Sequence, residues 1–300
     1  MEINIDQTHW YDNLWAAFIS FTRLPFWRFR QPPQSSYAAV VEWWPLTGWL
    51  TAGIMAATLY VGSMLLPSPV ALLLAIAARL LTTGALHEDG LADFFDGFGG
   101  GGTDRNRILA IMKDSRIGTY GVVALIFYFA LLFAALDALP VDVAALAILV
   151  ADPFAKMVTS QLILMMPYAR TAETAKNRTV YRKPSVAAGI CLAVQGLLPL
   201  TGFIWLMHDR VEWSTLIFVP CLVMYFLYRL IWSRLQGYTG DCCGAVCLLV
   251  ELAFYLSLIA QCTMLNAQCS MHNAQCIMHN AQCTMHNSLC AIDVIEPKGD

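Results

Sequence analysis

The sequence predicts an all-α membrane protein: a polytopic bundle of about seven transmembrane helices, preceded by an N-terminal helix in the membrane interface. Two observations support this prediction. Hydrophobic residues make up 58% of the 300-residue chain and charged residues only 13%, whereas a soluble domain carries about 25% charged residues. The apolar residues also fall in blocks of roughly 20, which is the length that crosses a hydrocarbon core.

The elements follow in order from the N-terminus. Residues 9–21 are short and amphipathic, with Trp10, Leu14 and Phe21 on one face, as in helices that lie in the interface. Seven longer apolar segments are predicted to span the membrane, with Trp44 and other aromatic residues near their ends as interfacial anchors. These segments are residues 46–66, 69–86, 119–139, 143–166, 186–207, 213–233 and 244–261.

The basic residues predict the orientation of the chain. Nearly all of them lie before the first span or after the second, fourth and sixth, and the opposite side has only Arg210 and Lys298. The positive-inside rule therefore predicts a multi-pass protein of the cell inner membrane, with its long, motif-bearing loops and its active site in the cytoplasm. The basic residues form no continuous stripe, so no nucleic-acid partner is expected. The sequence leaves the oligomeric state open.

The chain divides into two parts of different composition. Residues 1–262 are predicted to form the integral-membrane catalytic domain. Residues 263–300 are a low-complexity tail in which N-A-Q-C-x-M-H recurs between Asn266 and His286. A seven-residue repeat is compatible with an amphipathic helix or a Cys/His metal tract, but a tandem DNA repeat read into protein explains it as well. We assign the tail no function.

The acidic segment from Thr83 to Gly102 carries the strongest chemical signal. Asp89, Asp93 and Asp96 are spaced i, i+4 and i+7, so a helix would place the three carboxylates on one face. Such a row needs a cation to offset its repulsion, and hard oxygen ligands suit Mg²⁺ shared with substrate phosphates. The alternative is a solvated acidic face at a helix end.

Two further segments offer positive charge. In Met112–Gly121, Lys113 and Arg116 are candidates to hold phosphate oxygens, and Asp114 could be a further metal ligand or could orient Arg116. Surface ion pairs are the alternative. In the loop after the fourth span, Arg170 and Arg178 are candidates to grip an anionic substrate, unless this loop only sets the topology.

Charged residues inside the spans are costly and need partners. Asp152 and Lys156 lie one turn apart and are predicted to pair or to face the site, and Glu251 is predicted to face a partner instead of lipid. Asp241 precedes the last span, where it could bind substrate or simply cap a helix. Three nearby cysteines are predicted to be small packing residues: Cys242, Cys243 and Cys247.

At these motifs the chain resembles the cobalamin synthase family, also called adenosylcobinamide-GDP ribazoletransferases. The matching stretches lie in order over about residues 10–260. They are F-I-S-F-T-R-L-P from Phe18, E-W-W-P-L-T-G from Glu42, H-E-D-G-L-A-D-F-F-D-G from His87, M-K-D-S-R-I-G-T-Y-G from Met112, and T-G-D-C-C-G-A from Thr239 with Glu251 after it. Cys242 and Cys243 depart from the small residues expected after T-G-D.

The resemblance implies a Mg²⁺-dependent phosphotransferase that completes the nucleotide loop of cobalamin. Adenosylcobinamide-GDP would react with α-ribazole or its 5'-phosphate to give adenosylcobalamin, or its phosphate, and GMP. On this interpretation Asp89, Asp93 and Asp96 hold the metal, and His87 or one of the carboxylates accepts the proton of the ribazole hydroxyl. The alternatives are a CDP-alcohol phosphotransferase, a prenyltransferase or, from a different class, a secondary transporter.

Overall fold

The structure is a computed structural model that describes residues 9–170, 181–208 and 211–264. These ranges contain ten α-helices and no β-strand, which confirms the all-α prediction. A 3-10 helix also covers Gln34–Trp43. The α-helices are α1 Trp10–Phe21, α2 Trp44–Gly62, α3 Ser68–Thr83, α4 Leu86–Gly100, α5 Arg105–Ile111, α6 Thr119–Asp137, α7 Val141–Met165, α8 Val186–Leu206, α9 Trp213–Leu235 and α10 Gly240–Met264.

All seven apolar segments are helical, but the structure does not confirm that seven of them cross the membrane. In the described part of the chain, four helices are long and apolar enough to cross by themselves, namely α6, α8, α9 and α10. The bent pair α3–α4 would make a fifth span if the two helices cross together. A multi-pass membrane bundle is therefore confirmed, and the count of seven stays a prediction. The repeat tail lies outside the described residues.

Helix α10 is the centre of the bundle. In its most apolar stretch 83% of the residues are buried, against 22–28% in α6, α8 and α9. Phe254 of α10 lies 6.0 Å from Phe154 of α7 and 6.3 Å from Phe203 of α8, measured between ring centroids. The three outer helices expose apolar side chains, as expected of helices that contact lipid.

The break between α3 and α4 turns the chain by 88°. Gly84 and Ala85 both take left-handed backbone angles there, with φ of 68° and 55°. A Cβ atom on Gly84 would lie 2.3 Å from Nε of Arg23, so only glycine fits this position. The turn directs α4, which carries the acidic motif, sideways from the end of α3 and against α5 and α6.

Two ion pairs are buried inside the described part of the bundle. Arg79 of α3 donates two hydrogen bonds to Glu251 of α10, at 2.5 and 2.6 Å, and Tyr255 donates a third at 2.7 Å. In α7, Lys156 donates to Asp152, as predicted for this pair. The prediction that Glu251 faces a partner is confirmed, although the sequence analysis did not identify Arg79. An arginine within an apolar span is itself the signal that would have revealed it.

Candidate active site

A cavity of about 380 Å³ opens among the N-terminal segment and the beginnings of α2, α4 and α10. This volume lies near the lower end of the roughly 300–1,000 Å³ found for small-molecule sites. The predicted site residues His87, Asp89, Arg170 and Asp241 all line it. The first residues of α4 and α10 also face the cavity, and the positive end of a helix dipole favours anions.

Two glycines explain how the acidic residues meet. A Cβ atom on Gly90 of α4 would lie 3.1 Å from Cα and the carbonyl oxygen of Asp241, and one on Gly244 of α10 would lie 3.1 Å from the carbonyl oxygen of His87. Helices α4 and α10 therefore cross almost backbone to backbone at these two positions. The crossing brings Asp89 and Asp241, which are 152 positions apart in the chain, to one cavity.

The cap of α10 is Thr239, two residues before Asp241. The backbone N–H of Cys242 donates to the Thr239 hydroxyl at 3.2 Å, and the N–H of Cys243 donates to its carbonyl oxygen at 3.2 Å. Thr239 therefore caps the helix and Asp241 lines the cavity, while substrate binding by Asp241 stays a prediction. Cys242, Cys243 and Cys247 are buried in the bundle, as predicted for packing residues.

His87 and two aromatic rings form one wall of the cavity. The rings of Phe21, Trp44 and His87 are nearly parallel, with centroids 5.4 to 6.5 Å apart. Within the described residues, neither Nε2 of His87 nor Nε1 of Trp44 has a hydrogen-bond partner, although both side chains are 3% exposed. Buried polar atoms without partners are costly. Their presence in a cavity wall indicates that a ligand supplies the partners.

Trp44 was interpreted from the sequence as an interfacial anchor, and this interpretation is wrong. The side chain is buried in the cavity wall, where it packs against Phe21 of α1 and His87 of α4. The 3-10 helix Gln34–Trp43 contributes Tyr37, Val40 and Val41 to the lining. Tyr181, on another segment, also lines the cavity, and burial raises its pKa, which keeps its phenol neutral. Sequence analysis missed these residues, since no local pattern marks them.

Asp96 is bound to the start of α6. Its carboxylate accepts hydrogen bonds from the backbone N–H groups of Gly118 and Gly121 at 2.7 and 2.9 Å. A Cβ atom on Gly118 would lie 2.4 Å from one carboxylate oxygen, and one on Gly121 would lie 2.5 Å from the other. The two glycines leave room for the carboxylate, which explains physically why the acidic motif and the M-K-D-S-R-I-G-T-Y-G motif occur together.

We expect Asp96→Asn to destabilise the protein by about 1–2 kcal/mol. The amide can still accept one N–H but loses the charge-assisted bond to the other, and lost caps cost about this much. Thermal unfolding of the purified protein in detergent measures the change. Asp137→Asn is the control, because Asp137 is exposed at the other end of α6, where removal of a negative charge does no harm. Equal unfolding temperatures for the two variants would contradict this role.

The predicted metal site at Asp89, Asp93 and Asp96 stays a prediction. In the described ranges, no three or more His, Cys, Asp or Glu side chains are grouped so that they could hold a metal ion by themselves. Mg²⁺ commonly uses only one or two carboxylates and takes its other ligands from water and phosphate. Asp89 is exposed and borders the cavity. Such a carboxylate near helix N-termini fits a metal that arrives with a phosphate ligand.

The predicted phosphate-binding residues are divided between two places. Arg170 lines the cavity, donates to the carbonyl of Leu109 at 3.1 Å, and has a buried Nε without a partner among the described residues. Arg178 lies outside the described residues. Lys113, Asp114 and Arg116 lie between α5 and α6, outside the cavity lining. Arg116 donates to Asp114 at 2.7 Å, and this contact lowers the pKa of Asp114 to about 2.

Backbone contacts fix the segment that carries Arg170. The N–H of Ala169 donates to the carbonyl of Tyr238 at 2.8 Å, and the N–H of Tyr238 donates to the carbonyl of Pro167 at 3.0 Å. Arg105 of α5 donates to the carbonyls of Ala169 and Leu235 at 2.6 and 2.8 Å. The ends of α7 and α9 are thus tied to α5, which places Arg170 beside the beginning of α10.

Comparisons with known proteins agree on one family. A sequence model of the family described as cobalamin-5-phosphate synthase matches residues 13–259. Among curated relatives, adenosylcobinamide-GDP ribazoletransferase of Vibrio parahaemolyticus is 38% identical over 73% of this chain and 81% of its own. Proteins of the same name from Leptospira interrogans and a Shewanella species are 32% and 35% identical over 81% and 80% of this chain, and over 93% and 90% of their own.

No solved structure matches the chain. The family match covers α1, the acidic motif on α4, the glycines that receive Asp96, and the α4–α10 crossing that forms the cavity. This chain therefore belongs to the cobalamin-5-phosphate synthase family.

Proposed function

We propose that this chain is a phosphotransferase that joins adenosylcobinamide-GDP to α-ribazole or α-ribazole 5'-phosphate. A ribose hydroxyl oxygen of the ribazole, at a position other than 5' because that position is already phosphorylated in one of the two acceptors, forms a bond to a phosphorus of the diphosphate, the bond from that phosphorus to GMP breaks, and GMP leaves. The product is adenosylcobalamin or its 5'-phosphate, which completes the nucleotide loop. The family match and the names of the curated relatives support this reaction.

One observation carries the proposal: a single cavity combines an acidic border, formed by Asp89 and Asp241, with an arginine and a wall of aromatic rings. Asp89 and Asp241 stand where α4 and α10 cross, and Arg170 stands beside them. The rest of the lining includes aromatic and aliphatic side chains. A diphosphate needs the first kind of surface, and a nucleoside base needs the second.

The residues at the cavity fit a Mg²⁺ ion that is shared with the substrate. Asp89 at the cavity would hold it together with Asp93, which lies one turn further along α4 and outside the cavity lining, while the contact between Asp96 and α6 fixes the helix. Bound there, Mg²⁺ would neutralise negative charge on the diphosphate oxygens. Hard carboxylate oxygens are the ligands this ion prefers.

The chain's own side chains would do the remaining work. Arg170 would donate its unpartnered Nε–H to a phosphate oxygen, and Lys113 and Arg116 would contact parts of the substrate that extend beyond the cavity. Nε2 of His87 would accept the proton of the attacking hydroxyl, since His87 lines the cavity and this buried nitrogen has no partner within the described ranges.

We also propose that the protein lies in the cell inner membrane with the cavity facing the cytoplasm. The basic loops predicted to be cytoplasmic include those that contain Arg23, Arg105 and Arg170. Arg23 and Arg105 lie beside the site: Arg23 contacts the start of α4, and Arg105 anchors Ala169. The orientation and the site therefore agree with each other.

A direct assay tests this function. Purified protein in detergent or liposomes is given adenosylcobinamide-GDP and α-ribazole with MgCl₂, and GMP and the complete corrinoid are quantified by chromatography. We expect the two products in equal amounts, and we expect their formation to stop when EDTA replaces MgCl₂ and to resume when Mg²⁺ is restored. GMP without corrinoid product would indicate hydrolysis and contradict the transfer, and turnover that persists in EDTA would contradict the role of the metal.

A further inference from the structure

The indole N–H of Trp44 has no role in the proposed reaction. Trp44 is 3% exposed, it lines the cavity, and its Nε1 has no hydrogen-bond partner within the described residues. Trp49, only five positions away, donates its own indole N–H to the carbonyl of Gln195 at 2.8 Å. A buried N–H donor without an acceptor costs about 1–3 kcal/mol. A ligand that supplies the acceptor would remove this cost.

The surroundings of this N–H favour a flat aromatic ligand. The rings of Phe21, Trp44 and His87 lie within 14–19° of parallel, so a planar base in the same orientation can stack on the ring of Phe21 or His87 while its edge meets the N–H of Trp44, which lies in the indole plane. The adjoining surface is aliphatic and includes Val40, Val41 and Ile163. The acceptor that the N–H requires therefore belongs to a ring whose other edges are largely apolar.

We propose that this wall binds the benzimidazole base of α-ribazole, and that Trp44 donates its indole N–H to the unsubstituted ring nitrogen of that base. The proposal rests on the proposed function, because it assigns one of its two substrates to one end of the cavity. Trp44 and His87 mark the two ends of the nucleoside: the base accepts from Trp44, and the attacking ribose hydroxyl donates to Nε2 of His87.

The other ring systems of the reaction fit this wall less well. Guanine carries several donors and acceptors on its edges, and those that met Val40, Val41 and Ile163, and not the hydroxyl groups that also line the cavity, would stay unpaired, at a cost for each. Adenine has the same difficulty on a smaller scale. The benzimidazole base of α-ribazole has one ring nitrogen available and two methyl groups, which match one donor and an aliphatic surface. A corrin ring is far larger than a two-ring base.

The test varies one atom on each side of the proposed hydrogen bond. The substrate pair is α-ribazole and its analogue in which C–H replaces the unsubstituted ring nitrogen. The protein pair is wild type and Trp44→Phe, which keeps an aromatic face but removes the N–H. KM for each nucleoside and for adenosylcobinamide-GDP is measured, and dissociation constants of the two nucleosides alone are measured by equilibrium dialysis.

We expect wild type to bind α-ribazole about tenfold more tightly than the analogue, and Trp44→Phe to bind both equally. KM for adenosylcobinamide-GDP should change less than twofold. Trp205→Phe, at a position 76% exposed on α8, should leave all values unchanged. The proposal would be overturned if wild type and Trp44→Phe distinguished α-ribazole from its analogue equally well. It would also be overturned if the substitution changed only the KM for adenosylcobinamide-GDP. Because the wild-type comparison needs no variant, misfolding of Trp44→Phe cannot hide a negative result.

The dialysis arm separates this proposal from the proposed function. Wild type that lacks turnover but discriminates between the nucleosides would refute the transfer reaction and leave the base site standing. If wild type formed the products but bound α-ribazole and its analogue equally well, only the proposed base site would be refuted.

Discussion

Replacement of Asp89 by alanine is expected to lower turnover by roughly 10²- to 10³-fold, the scale observed when one group that stabilises transition-state charge is removed. Asp89 borders the cavity at the α4–α10 crossing and would hold the Mg²⁺ that screens the diphosphate. The side chain is exposed, so its loss should leave the fold intact. Initial rates of GMP release at saturating substrates and millimolar Mg²⁺ measure the effect, and Asp93→Ala should behave alike.

The control for this prediction is Asp142→Ala. Asp142 is an exposed aspartate in the first turn of α7 and lies outside the cavity lining. Its replacement removes the same charge and should leave the rate within twofold of wild type. A rate near that of wild type in both Asp89→Ala and Asp93→Ala, with normal unfolding temperatures, would remove the metal assignment from α4.

Glu251→Ala is expected to destabilise the protein by about 3–5 kcal/mol, because it leaves the Arg79 guanidinium buried without its partner. Arg79 is 4% exposed and Glu251 is fully buried, and the two hydrogen bonds between them tie α3 to α10. Thermal unfolding in detergent, followed by circular dichroism, measures the loss. The double variant Arg79→Met/Glu251→Leu should recover a large part of it, since an apolar pair of similar size removes both charges.

Asp114→Ala provides the comparison for this buried pair. Its partner Arg116 is 87% exposed, and exposed ion pairs contribute only about 0–1 kcal/mol. The unfolding temperature of this variant should therefore stay close to that of wild type. If Glu251→Ala proved as mild as Asp114→Ala, the buried pair would not hold α3 against α10.

Much of the fold could be predicted because each helix leaves a local pattern in the chain. The limits of α6, α8 and α9 lie within two residues of the predicted ones, since long apolar segments end where turn and charged residues begin. The number of helices that cross the membrane was harder to predict. The break at Gly84–Ala85 and the pairing of Arg79 with Glu251 depend on tertiary contacts, which no local hydropathy pattern reveals.

In the candidate site, too, the placement of residues on one helix could be predicted, but contacts between residues far apart in the chain could not. The spacing of the aspartates placed Asp89, Asp93 and Asp96 on one helix, α4, as predicted. The attachment of Asp96 to the amides of Gly118 and Gly121, and the packing of Trp44 against Phe21 and His87, are long-range contacts that no spacing rule contains. Glycine pairs such as Gly90 and Gly244 look like flexible positions in the sequence, but their role is to let two helices cross closely.

Titration of the purified protein with Mn²⁺ in place of Mg²⁺, followed by electron paramagnetic resonance, is the most direct test of the aspartate–metal–diphosphate arrangement. Samples of wild type and Asp89→Ala are compared with and without adenosylcobinamide-GDP. We expect wild type to bind Mn²⁺ in a defined stoichiometry and more tightly when the diphosphate substrate is present, and we expect Asp89→Ala to lose this enhancement. Identical Mn²⁺ binding by both proteins in the presence of substrate would contradict the account.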